Sequence, residues 1–199
     1  MYDLDSDGAI AIAAGIPTYL AIFGRDMQAA SRQASLLSMD PVRGCLNVLT
    51  KLAAVERNDW RDAQPGRIPH EIHTDPVSIL NYRPKGLYYG SVSSSFLFPL
   101  LVYELWLWTG SLESIGPYVD TAIRALKWAD TYSLDSTGFY RYQTRSEQGE
   151  ENQGWKDSGD ASFIRMERRS ARRSAPANAG VDVCCKVAVF ADSLAPWRR

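Results

Sequence analysis

Cysteine is the first thing this sequence is short of. There are three, Cys45 and the adjacent Cys184 and Cys185, an odd count with no framework spacing. A disulfide-stapled fold is therefore not expected, and the thiols read as buried or incidental. Histidine is scarcer: His70 and His73 stand three apart with Glu71 between them, and there is no third. The pair has no helical context and no further ligand at a familiar spacing, so no metal is expected and the segment reads as a loop buttressing a pocket. An excess of one charge is also lacking. A formal net charge of −1 gives no electrostatic case for nucleic acid or an anionic membrane as partner. No apolar run reaches the roughly 18 to 20 residues of a membrane span; the longest, Phe96 to Leu107, is interrupted by Pro99 and Glu104 and reads as a buried helix. The start, MYDLDSDG, is acidic and polar rather than leader-like, which makes a cytoplasmic location the expectation. A G-x-S-x-G elbow, a phosphate-cradling glycine loop and a Cys-His zinc pattern are all missing, and those enzyme classes lose support.

What is present is the composition of a globular domain, 45% apolar and 23% charged over 199 residues. The near-neutral total hides an asymmetry: residues 1–160 hold 14 Lys/Arg against 20 Asp/Glu, net −6, and residues 161–199 hold 8 against 3, net +5. After irregular or extended structure from Ala9 to Phe23, a helix is expected over Met27–Met39 with Asp26 as its cap. Asp40-Pro41 starts a second, with Asp40 as cap and Val42, Cys45, Leu46, Leu49, Leu52 and Ala53 at helical spacing. Four prolines between Asn58 and Lys85 mark a long structured loop, of a length that is often functional. A third helix over Ser93–Thr109 is apolar nearly all round and should be buried, and Gly110 stops it. A fourth over Leu112–Tyr132 is amphipathic, and the short turn between the two makes them antiparallel neighbours. The plan is hairpin, long loop, hairpin, long loop.

The second long loop, Ser133 to Asp160, mixes Phe139, Tyr140, Tyr142 and Trp155 with glycines and polar groups. Aromatic faces stack on the C–H faces of a pyranose while carboxylates and amides match its hydroxyls, so this composition suits a sugar. Within it, Gln153-Gly154-Trp155-Lys156-Asp157 sets a carboxylate two residues after a Trp. An apolar wall such as Trp155 would raise the Asp157 pKa toward that of a general acid, provided that Lys156 points away; the competing reading is a solvated turn or a helix cap. Gly24-Arg25-Asp26 puts an Asp able to accept two adjacent hydroxyls beside an Arg able to fix it; the competing reading is a cap and a surface charge. Tyr88-Tyr89 opens the third helix, to present a Tyr to ligand or simply to pack.

Five stretches stand in a fixed order: Gly15-Ile16-Pro17 with Phe23-Gly24-Arg25-Asp26, then Gly66-Arg67-Ile68-Pro69-His70-Glu71, Tyr88-Tyr89-Gly90-Ser91-Val92, Glu104 to Gly110, and Asn152 to Asp160. This series resembles the bacterial amylo-α-1,6-glucosidase or glycogen-debranching-like family of six-hairpin (α/α)6 glycosidases, relatives of trehalase and mannosylglycerate hydrolase, over roughly residues 10–163. The resemblance implies an all-α partial toroid of helical hairpins whose long loops carry the site, with residues 1–163 as the N-terminal portion of the catalytic domain. It implies hydrolysis of an α-glucosidic bond in an α-glucan or small glucoside, with Asp157 as general acid and no metal or organic cofactor. Arg25 and Asp26 would line the subsite of the sugar to be cleaved, and Glu71, Tyr89, Gln153 and Trp155 would form pocket wall or sugar contacts. A general base held roughly 6.5 to 9.5 Å from the acid would come from a later hairpin.

The sequence departs from that pattern twice. Ser93-Ser94-Ser95 stands where relatives carry an Asp, and after about Phe163 the likeness gives way to a basic tail, residues 164–199, which reads as a frameshift or truncated gene model. Two expectations follow: the isolated chain is inactive, and unpaired apolar helix faces drive self-association. The alternative is a non-catalytic helical carbohydrate-binding or structural remnant.

Overall fold

The computed structural model describes residues 2–3, 10–136 and 138–154, and the fold is mostly helical. Four short strands precede and interleave the helices: β1 (Tyr2–Asp3) pairs antiparallel with β2 (Ile10–Ala11), and β3 (Ile22–Phe23) pairs antiparallel with β4 (Glu71–Ile72). The helices are α1 (Gly24–Ala34), α2 (Asp40–Leu52), the single turn α3 (Pro76–Ile79), α4 (Val92–Thr109) and α5 (Leu112–Trp128), which runs on into a π turn at Ala129–Ser133. Helix α1 packs on α2 and α4, and α4 packs along α5.

Residue choice explains the helix ends, with three corrections to the sequence expectation. Helix α1 starts at Gly24, so Asp26 sits inside the first turn and does not cap it; the Gly24 N–H donates instead to the His70 carbonyl at 2.7 Å. Strand pairing has done the work that a capping side chain does elsewhere. Likewise Asp40 is the first residue of α2, after Met39, and its carboxylate accepts from the Ser38 hydroxyl at 2.8 Å. Helix α1 also stops at Ala34, short of Met39, leaving Leu36 and Leu37 largely exposed. The later ends follow the rules: Ser91 and Ser111 accept from the N–H groups of Ser94 and Ser114, and Gly110, at φ 62°, ends α4.

The main core is made where four helices meet. Met27 from α1, Val42, Cys45, Leu46 and Leu49 from α2, Phe98, Leu101, Val102 and Leu105 from α4, and Tyr118 and Ala122 from α5 are buried together with Ile68. Burial pushes the Cys45 thiol up, so it stays protonated and inert. Only part of α4 is covered, against the expectation of full burial. Leu97 and Leu100 are part-exposed, and Trp106, Leu107 and Trp108 reach solvent. By length and composition α4 could cross a membrane, but half of it is buried inside this fold. Its uncovered side and α1 form a groove of about 490 Å³ lined by residues that include Gln28, Arg32, Leu36, Leu97, Leu100 and Trp108, and Arg32 pairs with Glu104 across it.

The loops between helices are ordered by polar contacts. Residues 53–91 contain a 3-10 turn at Asp59–Arg61, β4, α3 capped by Asp75, and a second 3-10 turn at Pro84–Gly86. Gly66 carries this loop against α5. At φ 88°, a Cβ there would lie 2.3 Å from the Arg124 carbonyl oxygen, so no other residue fits without separating loop and helix. Residues 133–154 lie over a second core of Val92, Phe96, Leu126, Trp128 and Ala129, with Tyr140 and Tyr142 packed on it.

Candidate functional site

The β3–β4 ribbon organises the candidate site. Phe23 pairs with Glu71 in register, Glu71 bridges onward to Tyr88, and Gly24 follows directly into α1. Gly24 is required by contact: a Cβ there would stand 2.1 Å from the Pro69 carbonyl oxygen. The ring of Phe23 meets His70, His73 and Tyr19 edge-on, with centroids 6.4, 5.7 and 6.4 Å away.

Arg25 and Asp26 stand together at the start of α1. Arg25 is 8% exposed; its Nη1 donates to the Gly154 carbonyl at 3.2 Å and its Nη2 lies 3.9 Å from Asp26 Oδ2. The Asp26 side chain is half exposed. One carboxylate open to solvent beside a fixed guanidinium can accept hydrogen bonds from a polyhydroxylated ligand.

Glu71 is buried and ionic. His73 Nε2 lies 2.8 Å from one carboxylate oxygen and Lys85 Nζ 3.2 Å from the other, and Lys85 also reaches Glu150 at 2.7 Å. Burial pulls the Glu71 carboxyl upward, but the His73 hydrogen bond and the charges of His70, Lys85 and His73 outweigh it and hold the group below the usual carboxylate range. For Lys85 burial pulls the ammonium down, and Glu150 and Glu71 more than reverse it.

Behind this surface lies a buried network. Gln153 is fully buried; its carbonyl oxygen accepts from Arg67 Nη2 at 2.6 Å and its amide donates to Asp62 Oδ2 at 3.0 Å. Arg67, itself 2% exposed, donates to the Asp62 backbone carbonyl at 2.7 Å and lies 4.9 Å over the Trp128 ring. Burial pulls its guanidinium down to about 10 despite the nearby Asp62. Tyr88 donates to Asp62 at 2.8 Å, and its hydroxyl is pushed up by burial and by that carboxylate. Tyr89 donates to the Leu52 carbonyl at 2.7 Å and burial pushes it up to about 12.

The structure thus brings Arg25, Asp26 and Glu71 onto one ribbon-and-helix junction. Gln153 and Tyr89 have their polar atoms committed to internal partners rather than to an open surface. Trp155 and Asp157 lie outside the described residues, as do Cys184 and Cys185. Among the described residues no group of three or more His, Cys, Asp or Glu is placed to hold a metal ion. Tyr88, read as presenting to ligand or packing, is fully buried with its hydroxyl on Asp62; Asp62 and Thr144 had drawn no role from the sequence, because their partnerships join positions up to 91 residues apart. The α1–α4 groove shares none of the described candidate residues. No family model matches the chain, and no curated protein does.

Proposed function

We propose that this chain is the N-terminal part of a six-hairpin (α/α)6 glycosidase, in which the two packed helical pairs are the first hairpins of the toroid. The enzyme to which this part belongs acts on an α-glucosidic bond in an α-glucan or small glucoside by general acid–base hydrolysis. The observation that carries the reading is the contact between Arg25 and the Gly154 carbonyl. Two segments 129 residues apart meet there: the Arg-Asp pair expected to hold a sugar, and the residue directly before Trp155-Lys156-Asp157. Asp157 is the general acid, and Arg25 with Asp26 holds the glycone hydroxyls. Glucose release from maltooligosaccharides and branched glucans, measured for the wild type and for Asp157→Asn, tests it: release by the wild type that the substitution abolishes supports the acid role, and equal measurable release from both overturns it.

A second reading is carbohydrate binding without hydrolysis. It is favoured by the ion pairing of the described carboxylates, Asp26 with Arg25 and both Glu71 and Glu150 with Lys85. Carboxylates held beside cations accept hydrogen bonds from hydroxyls, which is what binding needs. Saturable maltooligosaccharide binding with no release of glucose selects this reading.

A further inference from the structure

Asp62 is fully buried and sits at φ 53°, a left-handed conformation that an aspartate tolerates better than most residues. Its carboxylate accepts five hydrogen bonds, all from neutral donors. The backbone N–H groups of Arg145 (2.6 Å) and Ser146 (3.3 Å) reach Oδ1, while the Tyr88 hydroxyl (2.8 Å), the Thr144 hydroxyl (2.9 Å) and the Gln153 amide (3.0 Å) reach Oδ2. Four of these donors lie on residues 144–153. The fifth, Tyr88, ties in the same stretch, because its oxygen accepts the Glu150 N–H at 2.7 Å.

Glycine 149 completes the cage. A Cβ there would stand 2.6 Å from the Thr144 and Tyr88 hydroxyl oxygens and 2.8 Å from Asp62 Oδ2. The loop is wrapped so closely around the carboxylate that a methyl group does not fit. Each of these five groups donates to the carboxylate, so it serves as an anchor for the loop. One residue past the cage, the Gly154 carbonyl rests on Arg25.

We infer that Asp62 is a positioning residue: its carboxylate clamps residues 144–153 and thereby holds the Gly154 carbonyl on Arg25, fixing the point from which the chain continues into Trp155. What the clamped loop serves rests on the glycosidase reading above; the clamp itself does not. Asp62→Asn replaces one acceptor oxygen by an NH2 that faces donors, and Gly149→Ala intrudes on the cage from the loop side, so the two break the same arrangement from opposite walls.

Hydrogen exchange by mass spectrometry and phenylglyoxal labelling of arginines, on the full chain, test the clamp. In both variants the amides of residues 140–154 should exchange at least about tenfold faster while those of α1, α2, α4 and α5 keep wild-type rates. Arg25 should become reactive, and Arg57, whose side chain is 62% exposed, should label equally throughout. Unchanged exchange in 140–154, equal acceleration of loop and helices, or a loosened loop with Arg25 still protected would each overturn the inference. If Asp62→Asn yields no folded protein, Gly149→Ala and Thr144→Val decide by the same criteria. Maltooligosaccharide titration of the wild type reports separately on the glycosidase reading, so loss of that reading leaves the clamp result standing, and the reverse.

Discussion

The helical layer and the loop layer of this protein are held by different physics. In the first, Met27, Leu46, Leu49, Phe98, Leu101 and Leu105 share one buried apolar cluster, and burial of apolar area is the driving term. In the second, Asp62, Arg67, Tyr88 and Gln153 are just as deeply buried, yet each is held by named hydrogen bonds. The apolar layer loses stability with the volume removed, because neighbouring side chains relax only partly into a gap. The polar layer loses it through single partners, since a lost partner leaves a buried polar group without solvent. The candidate ligand groups, Arg25 and Asp26, sit at the seam between the two.

The largest expected effect probes the apolar side. Phe98→Ala should cost about 3 to 5 kcal/mol, seen as a lower urea midpoint and a lower Tm, because Phe98 is fully buried at the junction of helices. Arg67→Met should cost about 3 kcal/mol, by leaving the Asp62 backbone carbonyl and the Gln153 side-chain oxygen without their donor rather than by opening a cavity. A double-mutant cycle sharpens the contrast: Arg67→Met with Gln153→Leu should couple strongly, and Arg67→Met with Leu49→Ala should add.

Smaller effects separate the layers by pH and by caps. Glu71 has its pKa depressed, so its stabilising contribution is complete above the ordinary carboxylate pKa and is lost as pH falls through the depressed folded value. Glu71→Gln should therefore lower stability at neutral pH and flatten the acid limb of the stability profile; an unaltered acid limb would refute the ionic role. Ser91→Ala should cost about 1 kcal/mol by removing the α4 cap. Smallest in stability, within about 0.5 kcal/mol, is Leu37→Lys on an exposed residue; its readout is reduced self-association in sedimentation velocity.

Helix identity was legible in the residues because short-range periodicity determines it. The α2 face of Val42, Cys45, Leu46 and Leu49 is buried as its spacing implies, and Gly110 ends α4. The early start of α1 was not legible, because its first N–H is satisfied by His70 across the ribbon, a partner far along the chain. The uncovered side of α4 was misread for a related reason: apolar residues all round a helix report how much surface could be buried, and not which neighbours arrive to bury it. In the site, Arg25 with Asp26 and Glu71 were visible as motifs. Asp62 was hidden, since it lies in the stretch from Asn58 to Lys85 that reads only as a long structured loop, and nothing local shows that residues 144–153 will close over it.

The anchoring of residues 153 and 154 carries a consequence for how the chain folds. Gln153 accepts from the Val92 N–H at the head of α4 at 3.0 Å, and Gly154 accepts from Arg25 near the head of α1 at 3.2 Å. Both receptors must already stand side by side before the segment has anywhere to bind, and the loops to be closed are among the longest in the molecule. Closure of 144–154 is therefore a late, high-contact-order step. On the ribosome, where the chain emerges N-terminus first, the helical layer has time to assemble while the junction around Arg25 and Asp26 waits, open, for residue 154.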